Sequence, residues 1–301
     1  MEGLQFRRLE HGDRVTLLHP FTIEEVKAAV WDCDSYKSPG PDGINFGFIK
    51  DFWSEISGDV LRFIGDFHMN DKLTKGINNT FIALILKVES SQKLNDFRPI
   101  SLAGSLYKVL KKRFANRLRR VVGKVVSETQ TAFVQDRQIM DGLLIENRTG
   151  DEARKLKKEL MLFKADFEKS YDSIDWNYLD VIMSRMRFPT LWRKWIKDCK
   201  GMASASVLVN DSPTTKFPLK HGLCQGDPFP FLFLLAAEGI NVMMKAVVDS
   251  QLFTGYKFGT HDGLSVSHLQ FVDDTLLMGE KSWANVRALQ LFCYYSKVCQ
   301  L

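Results

Sequence analysis

The chain has 301 residues, 45% of them hydrophobic and 26% charged, with a net charge of +5. That length and apolar share supply a core for one or two domains and exclude a disordered or fibrous chain. The most apolar run, Phe229 to Ala237, is too short to span a bilayer, and the first residues (MEGLQFRRLEHGD) lack the apolar stretch of a signal peptide. The five cysteines are scattered, with no CxxC pair. A disulfide framework or zinc site is not expected. No membrane partner is expected either, and the compartment should be intracellular and reducing, nucleus or cytoplasm.

Thr22 to Cys33 (TIEEVKAAVWDC) predicts a helix with Thr22 as its N-cap and Glu25 three residues on, before the turn-rich SPGPDG at Ser38 to Gly43. Phe46 to Met69 has helical periodicity, with Phe48, Phe52, Ile56, Val60, Ile64 and Phe67 three or four apart. Phe81 to Val88 reads as a buried strand. Leu106 to Val122 is a helix whose apolar stripe is Leu106, Leu110, Phe114, Leu118 and Val121.

Basic residues fill the rest of that helix. Eight Lys or Arg and no acid lie between Ser105 and Lys124, so the positive charge is local and suits a surface that meets something anionic. Lys108, Lys112, Arg117, Arg119 and Arg120 are the candidate contacts to template or duplex phosphates; the plainer reading is a solvated face.

Further on, Asp151 to Leu160 reads as a charged helix, Met161 to Phe167 as a strand and Asn177 to Met186 as a helix. Ala203 to Asn210 alternates like a strand, and Pro228 to Ser250 is an apolar helix. Ser265 to Met278 reads as two strands joined at Asp273-Asp274, and Ser282 to Leu301 as a helix. Strands and helices mix without a regular βαβ beat, so the class is α+β.

Two segments could carry chemistry: Asp166 in KADFEKSYDSIDW, and the adjacent pair Asp273-Asp274 between apolar Leu269, Phe271, Val272, Leu276 and Leu277. Two carboxylates in an apolar hairpin are costly unless their charge is compensated, and divalent cations would do that. A two-metal site clamps the attacking and leaving oxygens of a phosphoryl displacement, and Mg²⁺ takes oxygen ligands. Taken alone, an Asp-Asp pair is more often a solvated turn, and Asp166 could equally be a helix cap.

Taken together, the motifs resemble the reverse transcriptases of non-LTR (LINE-type) retrotransposons, most closely those of plants. The ordered series is SPGPDGI (Ser38 to Ile44), LNDFRPISL (Leu94 to Leu102), TAFVQDRQIMDGLLI (Thr131 to Ile145), KADFEKSYDSIDW (Lys164 to Trp176), GLCQGDPFPFLF (Gly222 to Phe233) and FVDDT (Phe271 to Thr275). The resemblance implies an RNA-directed DNA polymerase with a right-hand fold of fingers, palm and thumb. Residues 1–80 would form an N-terminal extension and the start of the fingers, and 81–301 the fingers and palm, with the thumb truncated.

By the same resemblance, Asp166, Asp273 and Asp274 would be the catalytic residues and bind two Mg²⁺, with Mn²⁺ as a substitute. Tyr171 would pack under the incoming sugar, unless it is a plain core tyrosine. Gln225 and Gly226 would line the nucleotide pocket. Arg98 would meet the triphosphate, with Lys87 assisting unless it is a solvated strand-end lysine. Asp172, Asp175 and Asp227 would be structural. Partners would be an RNA template, a DNA primer and deoxynucleoside triphosphates.

The sequence also departs from the family pattern. Cys224 stands where arginine is usual, GDPFP (Gly226 to Pro230) is one residue short, and Leu86 replaces a proline. Lys111 and Arg113 fall at usually apolar or small positions, and Arg148-Thr149-Gly150 interrupts a usually helical segment. The expectation is a decayed copy with weak or no activity. A non-catalytic nucleic-acid-binding remnant, a two-metal nuclease and an unfolded fragment are the alternatives.

Overall fold

The structure, a computed structural model, describes residues 3–90, 92–165, 170–201, 203–223, 230–259 and 264–298. The chain opens with helices α1 (His11–Leu18), α2 (Ile23–Trp31), α3 (Phe46–Asp51) and α4 (Trp53–Asn70). Strands β1 (Asn79–Leu86) and β2 (Phe97–Ala103) and the long α5 (Ser105–Val125) follow. Next come α6 (Ile139–Leu156), β3 (Leu160–Ala165), the short α7 (Ser170–Ser173), α8 (Trp176–Arg185) and α9 (Thr190–Gly201). Strands β4 (Ser204–Val209), β5 (Ser212–Pro213) and β6 (Phe217–Pro218) precede α10 (Pro230–Asp249). The chain closes with β7 (Tyr256–Lys257), β8 (Ser265–Val266), β9 (His268–Phe271), β10 (Asp274–Glu280) and α11 (Trp283–Val298).

These elements form two compact units. One comprises Met1–Leu9, Arg119–Met186 and Phe231–Leu301, and the other Glu10–Leu118 and Arg187–Pro230. The boundary drawn at residues 80/81 from the sequence falls inside the second of these.

That second unit is built on a sheet of order β2-β1-β4-β5, with β6 also on β4. β1 pairs antiparallel with β2 and parallel with β4. Its helices start where the sequence signals. Thr22 accepts from the Glu25 backbone N–H at 3.2 Å while the Glu25 carboxylate reaches back to the Thr22 N–H, a complete capping box. The apolar stripe of α2 meets Phe46 and Ile49 of α3, Val60 and Ile64 of α4, and Val109 of α5.

The single helix expected over Phe46 to Met69 is instead two. Phe52 leaves helical geometry (φ −105°, ψ 25°), and Lys50 anchors α3 by donating to Cys33 O at 2.6 Å. A one-residue break keeps the three-to-four spacing of the apolar residues, so periodicity cannot reveal it. β1 is half-buried rather than fully buried, with Ile85 and Leu86 exposed at its end. The glycine of SPGPDG has a steric reason. A Cβ on Gly40 would overlap the Ala103 backbone, so only glycine allows that approach. Asp42 then accepts from the Ser105 Oγ at 2.7 Å at the start of α5.

In the first unit, β3, β10 and β9 form an antiparallel sheet in that spatial order. One core cluster collects Ile240 and Met244 of α10, Leu277 of β10 and Leu289 and Phe292 of α11. Residues 231–249 of α10 are long and apolar enough to cross a membrane, but 72% of that window is buried in the protein, which accounts for its hydropathy. The charged helix expected at 151–160 begins earlier. α6 runs unbroken from Ile139 to Leu156 through Arg148-Thr149-Gly150, where the Thr149 hydroxyl donates to Ile145 O at 2.7 Å.

Candidate active site

The adjacent aspartates sit at the tip of the β9–β10 hairpin. Phe271 pairs with Asp274 across the ladder, so Val272 and Asp273 form the two-residue turn and Asp274 opens β10. Val272 has φ 57°. Positive φ at the first position of a two-residue turn is the type II′ pattern that glycine usually supplies, and it is strained for a β-branched residue. Valine carries no turn signal, so no residue pattern marks this conformation.

Next in the sheet is β3. Its register pairs Ala165 with Thr275, the residue after Asp274. Asp166 itself lies outside the described residues, as do Gln225, Gly226, Cys224 and Asp227. Lys164 places its ammonium 3.0 Å from Asp274 Oδ1, a diagonal cross-strand ion pair between half-exposed groups. Thr131, Glu146, Lys164, Phe271 and Asp274 are among the residues lining a cleft of about 270 Å³ beside the hairpin.

Tyr171, in α7, is half-buried and stacks on Phe233 with ring centroids 4.4 Å apart. Burial and then the charge of Asp273 push its phenol up to about 12. The structure therefore brings Tyr171 and the Asp273-Asp274 turn into one electrostatic neighbourhood. Asp175 is the N-cap of α8, accepting from Tyr178 N at 2.7 Å, as its structural reading requires.

Arg98 and Lys87 lie on the β1–β2 hairpin. Arg98 is exposed and pairs with Ile85. Lys87 closes the hairpin loop: its backbone N–H donates to Asp96 O at 2.8 Å and its ammonium to Asn95 O at 2.9 Å.

The basic helix needs correction. Arg117 is 2% exposed and donates to Leu17 O at 2.9 Å, Pro20 O at 3.1 Å, His19 O and the Glu25 carboxylate. It cannot lie along phosphates. Arg113 is also buried and pairs with Glu25. Burial alone would raise the Glu25 pKa, but hydrogen bonds and charge from Arg113 and Arg117 bring it down to about 2. Lys108 donates to Ser38 O at 3.2 Å and Lys112 is 3.7 Å from Asp32. Of the five predicted contacts only Arg119 and Arg120 are exposed, and Arg119 lies over the Phe231 ring at 5.5 Å. The acids that offset this helix come from other segments, so a charge count along the helix could not show them.

The polar groups behind the hairpin carry no motif of their own. Gln130 is fully buried; its amide accepts from the Val272 N–H at 3.0 Å and donates to the Val272 C=O at 3.2 Å. A hydrogen-bonded chain runs inward from the part-buried Ser127 to Glu238, from Glu238 to Asn241, and from Asn241 to Gln270 at 2.8 Å. Buried side-chain amides spaced far apart in sequence leave no local pattern, which is why the motifs did not point to them.

A three-stranded antiparallel sheet with a carboxylate pair at its hairpin tip, helices packed behind, and the strand leading to Asp166 alongside is the palm arrangement that the motif series implies. Comparison with known proteins agrees. Residues 85–297 match the family described as reverse transcriptase (RNA-dependent DNA polymerase), and the chain belongs to that family. It is similar to the transposon TX1 uncharacterized 149 kDa protein of Xenopus laevis, 26% identical over 75% of this chain and 18% of that protein. It is also similar to the retrovirus-related Pol polyproteins from type-1 retrotransposable element R2. The identities are 24% for Popillia japonica, over 65% of this chain and 26% of that protein, and 22% for Nasonia vitripennis, over 89% and 25%. The chain thus spans about a quarter or less of the length of these relatives. The family match makes it a reverse transcriptase domain, and these relatives are proteins of transposable elements.

Proposed function

We propose that this chain is the polymerase core of a non-LTR reverse transcriptase, nearest to the plant elements, that extends a DNA primer on an RNA template. The observation that carries the reading is the hairpin tip beside β3. Asp273 and Asp274 stand at that tip, and β3, which ends at Ala165 just before Asp166 in the sequence, pairs with β10 beside it. Asp166 is the third carboxylate by the motif resemblance.

The donor set fits hard divalent cations: it is all oxygen, half-exposed at Asp274, and Lys164 is its cationic neighbour among the described residues. Asp166, Asp273 and Asp274 would hold two Mg²⁺ or Mn²⁺. When bound, the ions supply charge stabilisation for nucleotidyl transfer. The chain's own groups do the rest. Lys164 orients the Asp274 carboxylate. The Tyr171 ring, kept neutral far above physiological pH and stacked on Phe233, offers a flat steric floor for the sugar. Arg98, Gln225 and Gly226 would contact the incoming triphosphate, with Lys87 a weaker candidate because its ammonium is engaged by Asn95. The Cys224 substitution and the short GDPFP segment support weakened rather than full synthesis.

Primer extension on poly(rA)/oligo(dT) with Mg²⁺ or Mn²⁺ tests this. Slow, short extension is expected, reduced at least about a hundredfold in Asp273→Asn, since loss of a metal-binding carboxylate removes several kcal/mol of transition-state stabilisation. A folded wild-type chain that adds no nucleotide, or an Asp273→Asn chain that extends equally well, would overturn the polymerase reading.

A further inference from the structure

We propose that Gln130 is a positioning residue for the catalytic turn: its side-chain amide holds Val272 at positive φ and thereby sets the direction of Asp273 and Asp274. The inference rests on the reading of those aspartates as catalytic.

A carboxamide carries both an acceptor and donors, so it can meet the N–H and the C=O of one residue together. Gln130 does so at Val272, with bonds of 3.0 and 3.2 Å. Its Oε1 also accepts from the Ala132 N–H at 3.0 Å. Val272 needs such a hold. Its φ of 57° is a conformation that a β-branched residue avoids, and it persists only where surroundings over-determine it.

The clamp is itself anchored. Residues 129–131 run parallel to β9: Gln270 N–H donates to Thr129 O at 2.9 Å, and Thr131 N–H donates to Gln270 O at 3.0 Å. The guanidinium of Arg137 donates to Gln130 O at 2.8 Å, Val126 O at 3.2 Å, Gly123 O at 3.3 Å and Ser127 O, knotting this loop to the end of α5. The segment TAFVQDRQIMDGLLI thereby acquires a use: it braces the aspartate turn from behind, and the residue that transmits the brace is the glutamine immediately before it.

Glycine adopts positive φ freely, so the turn of a Val272→Gly variant should no longer need the clamp. The test is a double-mutant cycle of Gln130→Leu and Val272→Gly in the full chain, read by hydrogen exchange and by single-turnover nucleotide incorporation per folded molecule. Gln130→Leu is expected to speed exchange of the peptide spanning 268–276 by about tenfold or more, with peptides unchanged outside this one and the segment around Ala132, whose N–H loses the same acceptor. It should lower the incorporation rate about tenfold without raising the KM for nucleotide, because Gln130 touches no substrate. When Gln130→Leu is added to Val272→Gly, both penalties should shrink to roughly twofold or less. If Gln130→Leu does not fold, Gln130→Asn, one methylene too short to bridge both groups, takes its place. Unchanged exchange at the turn, or an equal penalty with and without Val272→Gly, would overturn the clamp. Should exchange follow the expected pattern while the wild-type chain extends no primer, the clamp stands and the polymerase reading falls.

Discussion

Arg117 donates to three backbone carbonyls and to Glu25, while Arg120, three positions further along the same helix, is exposed. Side-chain chemistry is identical at the two positions, and burial decides what each does. Truncating a buried, paired arginine leaves its partners uncompensated, which costs about 3–5 kcal/mol, whereas an exposed site changes stability by roughly 0.5 kcal/mol or less. Denaturant melts of Arg117→Ala and Arg120→Ala should differ by that margin. RNA binding should show the reverse sensitivity. Arg120→Ala is expected to reduce the slope of log K against log salt by roughly one, with little effect on unfolding. A slope that falls with Arg117→Ala in a chain that remains folded, but not with Arg120→Ala, would contradict this assignment. Lys108, Lys112 and Lys87 are occupied by local oxygens, so their weight in any anion site is correspondingly less.

Among the elements, α10 and the β9–β10 hairpin determine where the carboxylates stand. Helix α8 crosses α10 at Gly239, where an added Cβ would overlap the Tyr178 hydroxyl, itself donating to Ala236 O at 3.0 Å. Gly239→Ala should therefore overpack this crossing and cost about 1–3 kcal/mol, seen as a lower denaturation midpoint. Adding Tyr178→Phe should recover part of it, and an unchanged midpoint in the single variant would refute the crossing as drawn. The hairpin and the capping box at Thr22 and Glu25 were legible beforehand, because turn position and cap chemistry are local. The break at Phe52 and the continuity of α6 through Gly150 were not. In each case a packing contact or a single backbone angle outweighs a propensity of at most about 1 kcal/mol.

At the scale of the whole molecule, acid should weaken the fold by two routes with the same sign. Burial holds the His268 imidazole neutral, with its pKa pushed down to about 4 from 6.5. The unfolded chain therefore takes up that proton first, and stability is lost as pH falls from 6.5 toward 4. Glu25, brought down from 4.5 to about 2, contributes stability that is complete above 4.5 and lost as pH falls through that range toward 2. Glu238 runs the other way: burial raises its pKa, so its charged form costs stability above that pKa and acid relieves it. Melting temperatures from about pH 7.5 to about pH 3 should decline, beginning near the ordinary imidazole pKa of about 6.5. His268→Gln should flatten the upper part of that decline. If wild type and His268→Gln decline in parallel between 6.5 and 4, His268 is not the cause.

The ordered motifs, the α+β class, the carboxylate-tipped hairpin and the family were all readable from the residues themselves. Helical and strand periods, caps and turn pairs act over a few residues and leave a local imprint. What only the tertiary structure decided depends on separations of tens to hundreds of residues. Glu25 reaches Arg113 and Arg117 across about 90 positions, removing both from the apparent cationic face. Gln130 reaches Val272 across 142. Each of the two units gathers segments separated along the chain. A buried ion pair or amide clamp is made by whichever partner folding brings within about 3 Å, and that distance has no signature in the order of residues.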